Sequence, residues 1–409
     1  MSRKPLCKFV GSISLIALLF LFFSCSDSRK NGTSNPPNGP GAPTGPNPAP
    51  GAPSSGPRFL YFATGAEPAG APIDQNGMPG AVQKFINPDA GVRGMGIVAA
   101  NPAGTFLYVT ESEDTGSGSF FIVQYSIDQS SSALTPVNTF PVANSGAIAV
   151  DPTGNVLALG GSTVSNPDAA KPVLALYKIA GDGSLTPGGT PVPVFGQRVI
   201  NLIFDASGEN LFVLSNQAEP ATPGSALQAF RVDAATGSAT LVQSIPLSID
   251  ANEIAVVDSK FVYLSGVGAP TGSIAGYSVQ SDGSLAPITG TPFGASTNAF
   301  GLAAAPNGSM LYATDLFKQR LSRFSVGSDG TLTLVGSTAD NTFDPAALPS
   351  HLVVDRSGKY VYGDACNPNA PPPGCEPALW GGTIASDGSV TPMNGTPFSV
   401  PVYQFDLVY

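Results

Sequence analysis

The stretch LVVDRSGKYVYGD, residues 352–364, consists of an apolar run, a polar turn containing Gly358 and a second apolar run. The same pattern recurs along the chain in IVAANPAGTFLYVT (97–110), IAVDPTGNVLALG (148–160), LIFDASGENLFVL (202–214) and LAAAPNGSMLYAT (302–314). A further copy, IAVVDSKFVYL (254–264), lacks the turn glycine, and RFLYFAT (58–64) matches only the second half. Two apolar runs joined by such a turn are typical of paired strands, so the stretch is one copy of a structural repeat.

The centre of the second apolar run gives the period of this repeat. These central residues are spaced by 47, 50, 54, 50, 50 and 50 positions, and they are Tyr61, Tyr108, Ala158, Phe212, Val262, Tyr312 and Tyr362. A second strand pair with an Asp-Gly turn follows most copies, as in LALYKIAGDGSLTP (174–187) and IAGYSVQSDGSLAP (274–287). Glycine suits these turns because it tolerates positive φ. Seven units of four strands predict an all-β fold, a seven-bladed β-propeller with four-stranded antiparallel blades.

The two ends of the repeat region predict how the ring closes. The chain enters the repeat at residues 58–64, which lack a preceding first strand, and it ends on VYQFDLVY (402–409), a first strand without a blade. We expect the C-terminal strand to complete blade 1, because this removes an exposed sheet edge. The short separation between Phe85 and Ile97 predicts that the fourth strand of blade 1 is short or missing. Residues 58–409 are therefore interpreted as one propeller.

The first 57 residues predict export and anchoring. A basic start precedes an apolar run over residues 13–23, which is typical of a secretory signal. Ser24-Cys25 at its end resembles the bacterial lipoprotein signal, which implies lipidation of Cys25, and Ser26 after it implies the outer membrane; the alternative is an ordinary signal peptide with an incidental cysteine. Residues 1–24 are thus the signal, and residues 25–57 are the lipidated cysteine with a Pro/Gly-rich tether that cannot form a core.

The composition excludes some classes of function. Removal of residues 1–24 takes away three of the 18 basic residues and none of the 28 acidic residues, so the net charge falls from −10 to −13. A surface this acidic disfavours nucleic acid as a partner. A single histidine among the 409 residues also rules out multi-histidine zinc sites.

The period, the Asp-Pro-x-Gly turns and the DGSLTP segments resemble the lactonase-like seven-bladed propellers, a family that includes 6-phosphogluconolactonase. The resemblance covers residues 58–409. It implies lactone hydrolysis with an Arg-His pair that opens the first strand of a middle blade and an Asn-Glu pair that ends its second strand. In this sequence the first pair is replaced by Ile200 and Asn201 and the second by Asn216 and Gln217, while Arg198 lies two residues out of register. The catalytic pattern of that blade is therefore predicted to be degraded.

His351 occupies the same repeat position in blade 7, seven residues before the turn glycine. The residues assigned to this column are Ile97, Ala147, Asn201, Ala251, Gly301 and His351. One interpretation makes His351 a partly exposed imidazole bonded to a neighbouring loop. The other makes it a catalytic base, with Lys318 or Arg320 reaching across the channel mouth as the cation that an oxyanion requires.

Two cysteines flank a proline-rich segment of blade 7. Cys366 and Cys375 lie in one predicted loop of an exported protein, a setting that favours a disulfide bond. The alternative is zinc binding by the same pair together with His351, and export favours the disulfide over it.

An acidic segment in blade 2, ESEDTGSGS (111–119), carries Glu111, Glu113 and Asp114. Three carboxylates this close together are suited to Ca²⁺. The alternative is a solvated acidic loop without a metal, and we expect no cofactor for the protein.

The loops between the second and third strands predict where function resides, since they differ in every blade while the turns at the other end are short and repetitive. We expect a monomeric, envelope-tethered binding module that contacts a protein or a glycan through this end. The named positions Asn201, Arg198, Asn216, Gln217, Glu111, Lys318 and Arg320 are its candidate binding residues. The alternatives are a hydrolase of a lactone or related ester that uses the channel mouth, and a purely structural envelope protein.

Overall fold

The computed structural model describes residues 58–64, 67–87, 93–113, 119–162, 172–216, 225–247, 250–267, 274–294, 299–315, 318–343, 349–367, 376–402 and 405–408. All of them belong to the second of two units of the chain, Thr44–Tyr409. The predicted signal, Cys25 and the tether lie outside the described residues, so these assignments stay predictions. Within the described ranges no helix has the length and apolar character needed to cross a membrane.

The described strands form seven antiparallel sheets, each of which is one blade. Blade 1 comprises β29 (Phe405–Val408), β1 (Arg58–Ala63), β2 (Pro68–Ile73) and β3 (Gln83–Lys84). Blade 2 comprises β4 (Arg93–Ala100), β5 (Phe106–Glu113), β6 (Phe120–Ile127) and β7 (Leu134–Val142). Blade 3 comprises β8 (Ser145–Val150), β9 (Val156–Ser162), β10 (Pro172–Ile179) and β11 (Leu185–Pro187), with β12 (Val192–Pro193) also paired to β10. Blade 4 comprises β13 (Arg198–Phe204), β14 (Asn210–Asn216), β15 (Ser225–Asp233) and β16 (Ser238–Leu247).

The remaining three blades repeat this order. Blade 5 comprises β17 (Asp250–Val257), β18 (Phe261–Val267), β19 (Ile274–Val279) and β20 (Leu285–Pro287). Blade 6 comprises β21 (Ala299–Ala304), β22 (Met310–Asp315), β23 (Arg320–Val326) and β24 (Leu332–Ser337). Blade 7 comprises β25 (Leu352–Val354), β26 (Tyr360–Asn367), β27 (Glu376–Ile384) and β28 (Val390–Pro392). The predicted fold class is therefore confirmed.

The position of a strand within its blade explains its apolar pattern. Strand β14, the second of blade 4, is buried along almost its entire length because neighbouring blades cover both of its faces. The fourth strand of the same blade, β16, is at the rim and carries mostly exposed or half-buried residues. A strand covered on both faces reads as a continuous apolar run, which is the feature that made the repeat visible in the sequence.

The C-terminal strand closes the ring as predicted. Strand β29 pairs antiparallel with β1, with Phe59 opposite Val408 and Phe62 opposite Phe405. Strand β3 has only two residues, which confirms the short fourth strand of blade 1. Asp406 also ties blade 1 to blade 2, because its Oδ2 accepts a hydrogen bond of 2.8 Å from the Ala100 amide.

Tyrosine hydroxyls connect successive blades at five of the seven interfaces. Each hydroxyl donates to a carbonyl of the turn between the third and fourth strands of the next blade. The pairs are Tyr61–Ser132, Tyr108–Gly183, Tyr263–Gly330, Tyr312–Gly388 and Tyr362–Gly77. The four glycines have φ between 77° and 83°, and Ser132 takes the same left-handed conformation at 59°. The Asp-Gly turns of the sequence therefore orient carbonyls that the repeat tyrosines bind.

The sequence alignment of blade 5 was wrong by one residue at its tyrosine. Tyr263, and not Val262, makes the hydroxyl contact to the next blade. The cause is the turn without glycine, in which Asp258 and Ser259 both have positive φ and form a tight two-residue turn. This turn is shorter than the one in blade 4, because Val257 already pairs with Phe261. The shift carries over to the first strand of blade 5 and changes which side chain enters the channel.

Candidate functional site

The first strands of the blades line a central cavity of about 410 Å³. Most of its wall is aliphatic, formed by Ile, Val, Leu and Ala side chains of the inner strands, with Phe405 from the closing strand. Its four polar residues are Asn201, Glu253, His351 and Asp406. None of the described residues that line the cavity is Lys or Arg.

Glu253 is the residue around which this polar group is organised. Its Oε2 lies 2.9 Å from His351 Nδ1, and its Oε1 accepts hydrogen bonds from Asn201 Nδ2 and from the Ile254 amide, the latter at 3.1 Å. The carboxylate thus receives three donors from three parts of the chain. The side chain of Glu253 is only 6% exposed and that of His351 23% exposed, so water screens the pair weakly.

The backbone of blade 5 explains why Glu253 reaches this position. The register of β17 shifts between Ala251 and Glu253, which is a β-bulge that moves the strand by one residue. Glu253 lies opposite Ser265, just as Asn201 lies opposite Leu214 in blade 4. The assignment of Ala251 to the histidine column was therefore wrong, and Glu253 occupies that column. Sequence reasoning missed this carboxylate.

Gly301 of blade 6 separates Glu253 from His351 along the ring. A Cβ at this glycine would lie 2.8 Å from the Pro349 carbonyl oxygen, so any side chain here would displace the segment that carries His351. Ser265 Oγ bonds the Glu253 amide at 3.1 Å and donates to the Phe300 carbonyl, which fixes the strand beside this glycine. The small residue in blade 6 lets blades 5 and 7 share a hydrogen bond across the channel mouth.

Asp364 positions the backbone of His351. Its Oδ1 accepts hydrogen bonds from the amides of Ser350 and His351 at 2.8 and 2.6 Å, and its Oδ2 accepts one from the Ser350 hydroxyl at 2.5 Å. The ring of Phe405 contacts the imidazole edge-on, with centroids 5.4 Å apart. The imidazole is thus held on three sides. Its Nε2 makes no hydrogen bond to any residue that the structure describes.

The electrostatics favour the protonated imidazole. Burial by itself would lower the pKa of His351, but the hydrogen bond and charge of Glu253, aided by Asp364 and Asp406, outweigh it and raise the pKa above the ordinary 6.5. Burial raises the pKa of the Asp364 carboxyl, and hydrogen bonds from Ser350 and His351 offset this effect in part. Burial likewise raises the pKa of Asp406, although the amides of Ala100 and Leu407 donate to it.

Most other predicted site residues do not join this cluster. Arg198 is exposed at the start of β13, opposite Asn216, and neither residue lines the cavity. Arg320 pairs with Asp315 and Asp340 of its own blade, at 3.4 and 2.8 Å, and it does not line the cavity.

Of the two remaining loop residues, the structure describes Lys318 but not Gln217. Lys318 donates its amide to Asp315 Oδ1 and does not line the cavity. Gln217 lies outside the described residues. Asn201 and His351 are thus the two predicted residues that the structure brings together.

The first residues of the acidic segment of blade 2 belong to strand β5. Glu111 is buried within β5 and does not lie in the predicted loop. The side chain of Glu113 and all of Asp114 lie outside the described part of the chain, so the Ca²⁺ prediction stays untested. No three metal-ligating side chains come together among the described residues.

The two cysteines of blade 7 fall at the limit of the described chain. Cys366 lies in β26, with a side chain that is not described, and Cys375 lies outside the described residues. Their disulfide bond stays a prediction.

Two further signals in the sequence point to the cluster in retrospect. Asn201 stands eleven positions before Phe212, and the same count back from Tyr263 reaches Asn252; a turn that is one residue shorter, as the missing glycine suggests, moves the count to Glu253. Asp406 stands in the closing strand VYQFDLVY as a carboxylate among apolar residues. A charged residue in the innermost strand of a propeller faces either the channel or a neighbouring blade. The repeat pattern was therefore sufficient to mark Asp406 as a candidate channel residue.

The fold defines the class as a seven-bladed β-propeller, and the structures with a similar fold include lactonases. The solved structures similar to this chain include the periplasmic gluconolactonase of Pseudomonas aeruginosa, with 16% identity, a TM-score of 0.62 and coverage of 86% of this chain and 99% of that one. A candidate 6-phosphogluconolactonase from Bacteroides uniformis is similar at 16% identity and a TM-score of 0.62, covering 87% of this chain and 100% of that one. A protein from Lactobacillus plantarum matches at 16% identity and a TM-score of 0.61, over 86% and 99%.

These likenesses define the fold and leave the activity open. No protein-family model matches the chain, and no curated protein is similar to it.

Proposed function

We propose that this protein is a ligand-binding module of the bacterial cell envelope and that it does not hydrolyse lactones. In this proposal Cys25 is lipidated, residues 25–57 are the tether, and the propeller presents its variable-loop end to a protein or a glycan. The observation that carries the proposal is the state of the Glu253–His351 pair. Activation of water requires a free base, and neither member of the pair provides one.

The hydrogen bonds of Glu253 support the conclusion that the pair provides no free base. A carboxylate that accepts three protein donors is held in place and has little remaining capacity to take a proton from water. The same contact raises the pKa of His351 above its ordinary value, which favours the protonated imidazole over the free base. An anionic substrate would also need a permanent cation, and no Lys or Arg lines the described cavity wall. The lactonase-like scaffold is therefore retained with a channel mouth suited to binding.

The ends of the strands support the choice of binding surface. His351 precedes β25, and Asp364 lies near the end of the second strand of the same blade, so the polar cluster is at the end where the variable loops attach. The loops themselves lie largely outside the described residues. Variable loops on a rigid scaffold are a common location for recognition, because their sequence changes at little cost to the fold.

A lactone or ester hydrolase is the second candidate function, and one observation favours it. His351 is oriented by a carboxylate at Nδ1 while Nε2 makes no contact among the described residues, which is the arrangement of a histidine that transfers protons. The histidine would act as a base only after losing its own proton, so this candidate requires activity that rises with pH through the raised pKa of His351.

The experiment for the binding proposal uses the full-length protein and purified envelope glycans, namely peptidoglycan fragments and lipopolysaccharide. We expect one of them to bind, and we expect replacement of residues 217–224, in the variable loop of blade 4, by a Gly-Ser segment to weaken binding at least tenfold. Ser284→Ala, in a turn at the opposite end, is the matched control and should bind as the wild type does. If the loop variant binds as tightly as the wild type, recognition takes place elsewhere. If no glycan binds, a protein ligand is the remaining form of the proposal, and crosslinking from the same loop in intact cells tests it.

The anchoring part of the proposal has its own test. The substitution Cys25→Ala should release the protein from the membrane fraction into the soluble one during detergent partition, because lipidation takes place on that thiol. Retention of the variant in the membrane would contradict the anchor.

A further inference from the structure

Among the side chains that line the channel cavity, His351 provides a hydrogen-bond donor that no described protein group engages. The donor is Nε2, because Nδ1 is hydrogen-bonded to Glu253 at 2.9 Å. Phe405 packs edge-on against the imidazole, most of the other lining side chains are aliphatic, among them Leu302 and Leu352, and none is Lys or Arg. A cavity of about 410 Å³ falls within the usual size of a small-molecule site.

We propose that this cavity binds a small uncharged amphipathic molecule, whose carbonyl oxygen accepts a hydrogen bond from His351 Nε2 and whose hydrocarbon body lies against the aliphatic channel wall. The site goes beyond the proposed function, since the residues that line it belong to the inner strands and it takes a different kind of ligand. Binding involves no covalent step.

The charges of the cavity select against ionic ligands. Glu253 and Asp406 line it, and Asp364 lies directly behind the histidine. A carboxylate or phosphate ligand would face these three acidic groups with only one imidazolium to balance them. An ammonium ligand would need an open carboxylate, but Glu253 accepts three hydrogen bonds and both oxygens of Asp406 accept backbone amides. A neutral acceptor is the ligand that leaves no charge uncompensated.

The aliphatic wall accounts for the rest of the affinity. Burial of apolar surface favours binding of a ligand with a phenyl or short alkyl body in such a channel. The hydrogen bond to Nε2 orients the ligand. A simple ketone should therefore bind with a dissociation constant near the millimolar range, since that value corresponds to about 4 kcal/mol.

The test uses three probes that share a phenylethyl body and differ in charge: 4-phenylbutan-2-one, 3-phenylpropanoate and 4-phenylbutan-2-amine. Binding to the full-length protein is measured by ligand-detected NMR, and the imidazole signals of the ¹⁵N-histidine-labelled protein report on the site, because the chain has a single histidine. We expect the ketone to bind at least fivefold more tightly than either charged probe and to shift the Nε2 signal. Ala149→Leu, which fills part of the cavity wall, should weaken ketone binding at least fivefold.

Comparison of the wild type with Glu253→Gln distinguishes binding through the His351 hydrogen bond from general hydrophobic binding. Raising the pH until His351 loses its proton leaves hydrogen on Nδ1, against Glu253, and turns Nε2 into an acceptor. Ketone binding by the wild type should then weaken at least fivefold. In Glu253→Gln the neutral histidine is expected to carry its proton on Nε2, because the Gln amide donates to Nδ1, so ketone binding by this variant should not depend on pH.

Four results would overturn the proposal. They are tighter binding of a charged probe, absence of ketone binding at millimolar concentration, ketone binding with no shift of the histidine signal, and equal pH dependence in the wild type and in Glu253→Gln. None of these results bears on recognition by the variable loops, so the two proposals fail independently.

Discussion

Replacement of Glu253 by Gln is the perturbation that most sharply probes the channel cluster. The side chain keeps its shape but loses its charge, and its amide nitrogen then faces His351 Nδ1 in place of a carboxylate oxygen. The imidazole must accept a hydrogen bond at Nδ1 to satisfy this contact, which requires the neutral form with hydrogen on Nε2. We expect the pKa of His351 to fall below its wild-type value, because the largest influence that raises it has been removed and burial then dominates.

The hydrogen bonds of Glu253 set the size of the effect on stability. Three charge-assisted bonds become neutral ones, and each change costs about 1 kcal/mol. The variant also no longer buries a carboxylate, and relief of that desolvation offsets part of the loss. The net loss in the free energy of unfolding is expected to be about 1–2 kcal/mol. Glu253→Ala leaves the imidazolium buried without its partner and should lose about 3–5 kcal/mol.

The assay follows the single histidine by ¹⁵N NMR across a pH titration and measures unfolding by urea. Glu209→Gln is the matched control, since Glu209 pairs with Arg231 at 3.2 Å on the surface, and it should change stability by less than about 0.5 kcal/mol. The reasoning fails if His351 of the wild type titrates at or below its ordinary value, or if Glu253→Gln leaves the titration unchanged.

Three further predictions concern the fold. Tyr263→Phe should destabilise the protein by about 1–2 kcal/mol, because the Gly330 carbonyl loses a hydrogen bond of 2.6 Å, whereas Tyr277→Phe, whose hydroxyl bonds no described residue, should stay within about 0.5 kcal/mol in the same urea experiment. The folded-state pKa values of His351, Asp364 and Asp406 are raised, so these groups stabilise the fold below their unfolded-state pKa values, and this stabilisation is lost as the pH rises through the folded-state values. The urea concentration at the unfolding midpoint should therefore decrease as the pH is raised above about 6.5, and an increase would contradict this. Deletion of residues 402–409 removes β29 and exposes the edge of β1, so we expect aggregation or a large loss of thermal stability, and a monomeric variant with unchanged melting would refute the closure.

The sequence predicted the blades because their chemistry is local. Apolar runs of the second strands and the glycines of the turns report on backbone conformation within a few residues, and seven repetitions averaged out local irregularities. The repeat alignment slipped in blade 5, where Asp258 and Ser259 replace the glycine turn and shorten it. The slip is one residue at Tyr263 and two residues in the first strand, where Ala251 was assigned to the column that Glu253 occupies.

The channel cluster was harder to predict because its contacts span distant parts of the chain. Glu253 and His351 are 98 residues apart, and the segment that carries His351 packs closely against Gly301 of the intervening blade, where a side chain would displace it. Asp364 was overlooked because its role depends on backbone amides and not on a motif. Placement of His351 at the channel mouth followed from the repeat, whereas its charged partners required the folded ring.

The most direct test of the account is turnover of lactones by the full-length protein. Hydrolysis of 6-phosphogluconolactone and of neutral lactones is measured for the wild type and for His351→Ala, between about pH 6 and 9. The account predicts rates indistinguishable from the uncatalysed reaction for both proteins, because Nδ1 of the only histidine is hydrogen-bonded to Glu253, which raises the pKa of the imidazole, and because no Lys or Arg lines the described cavity wall. Robust hydrolysis by the wild type that is lost in His351→Ala would contradict the account and make His351 a catalytic base.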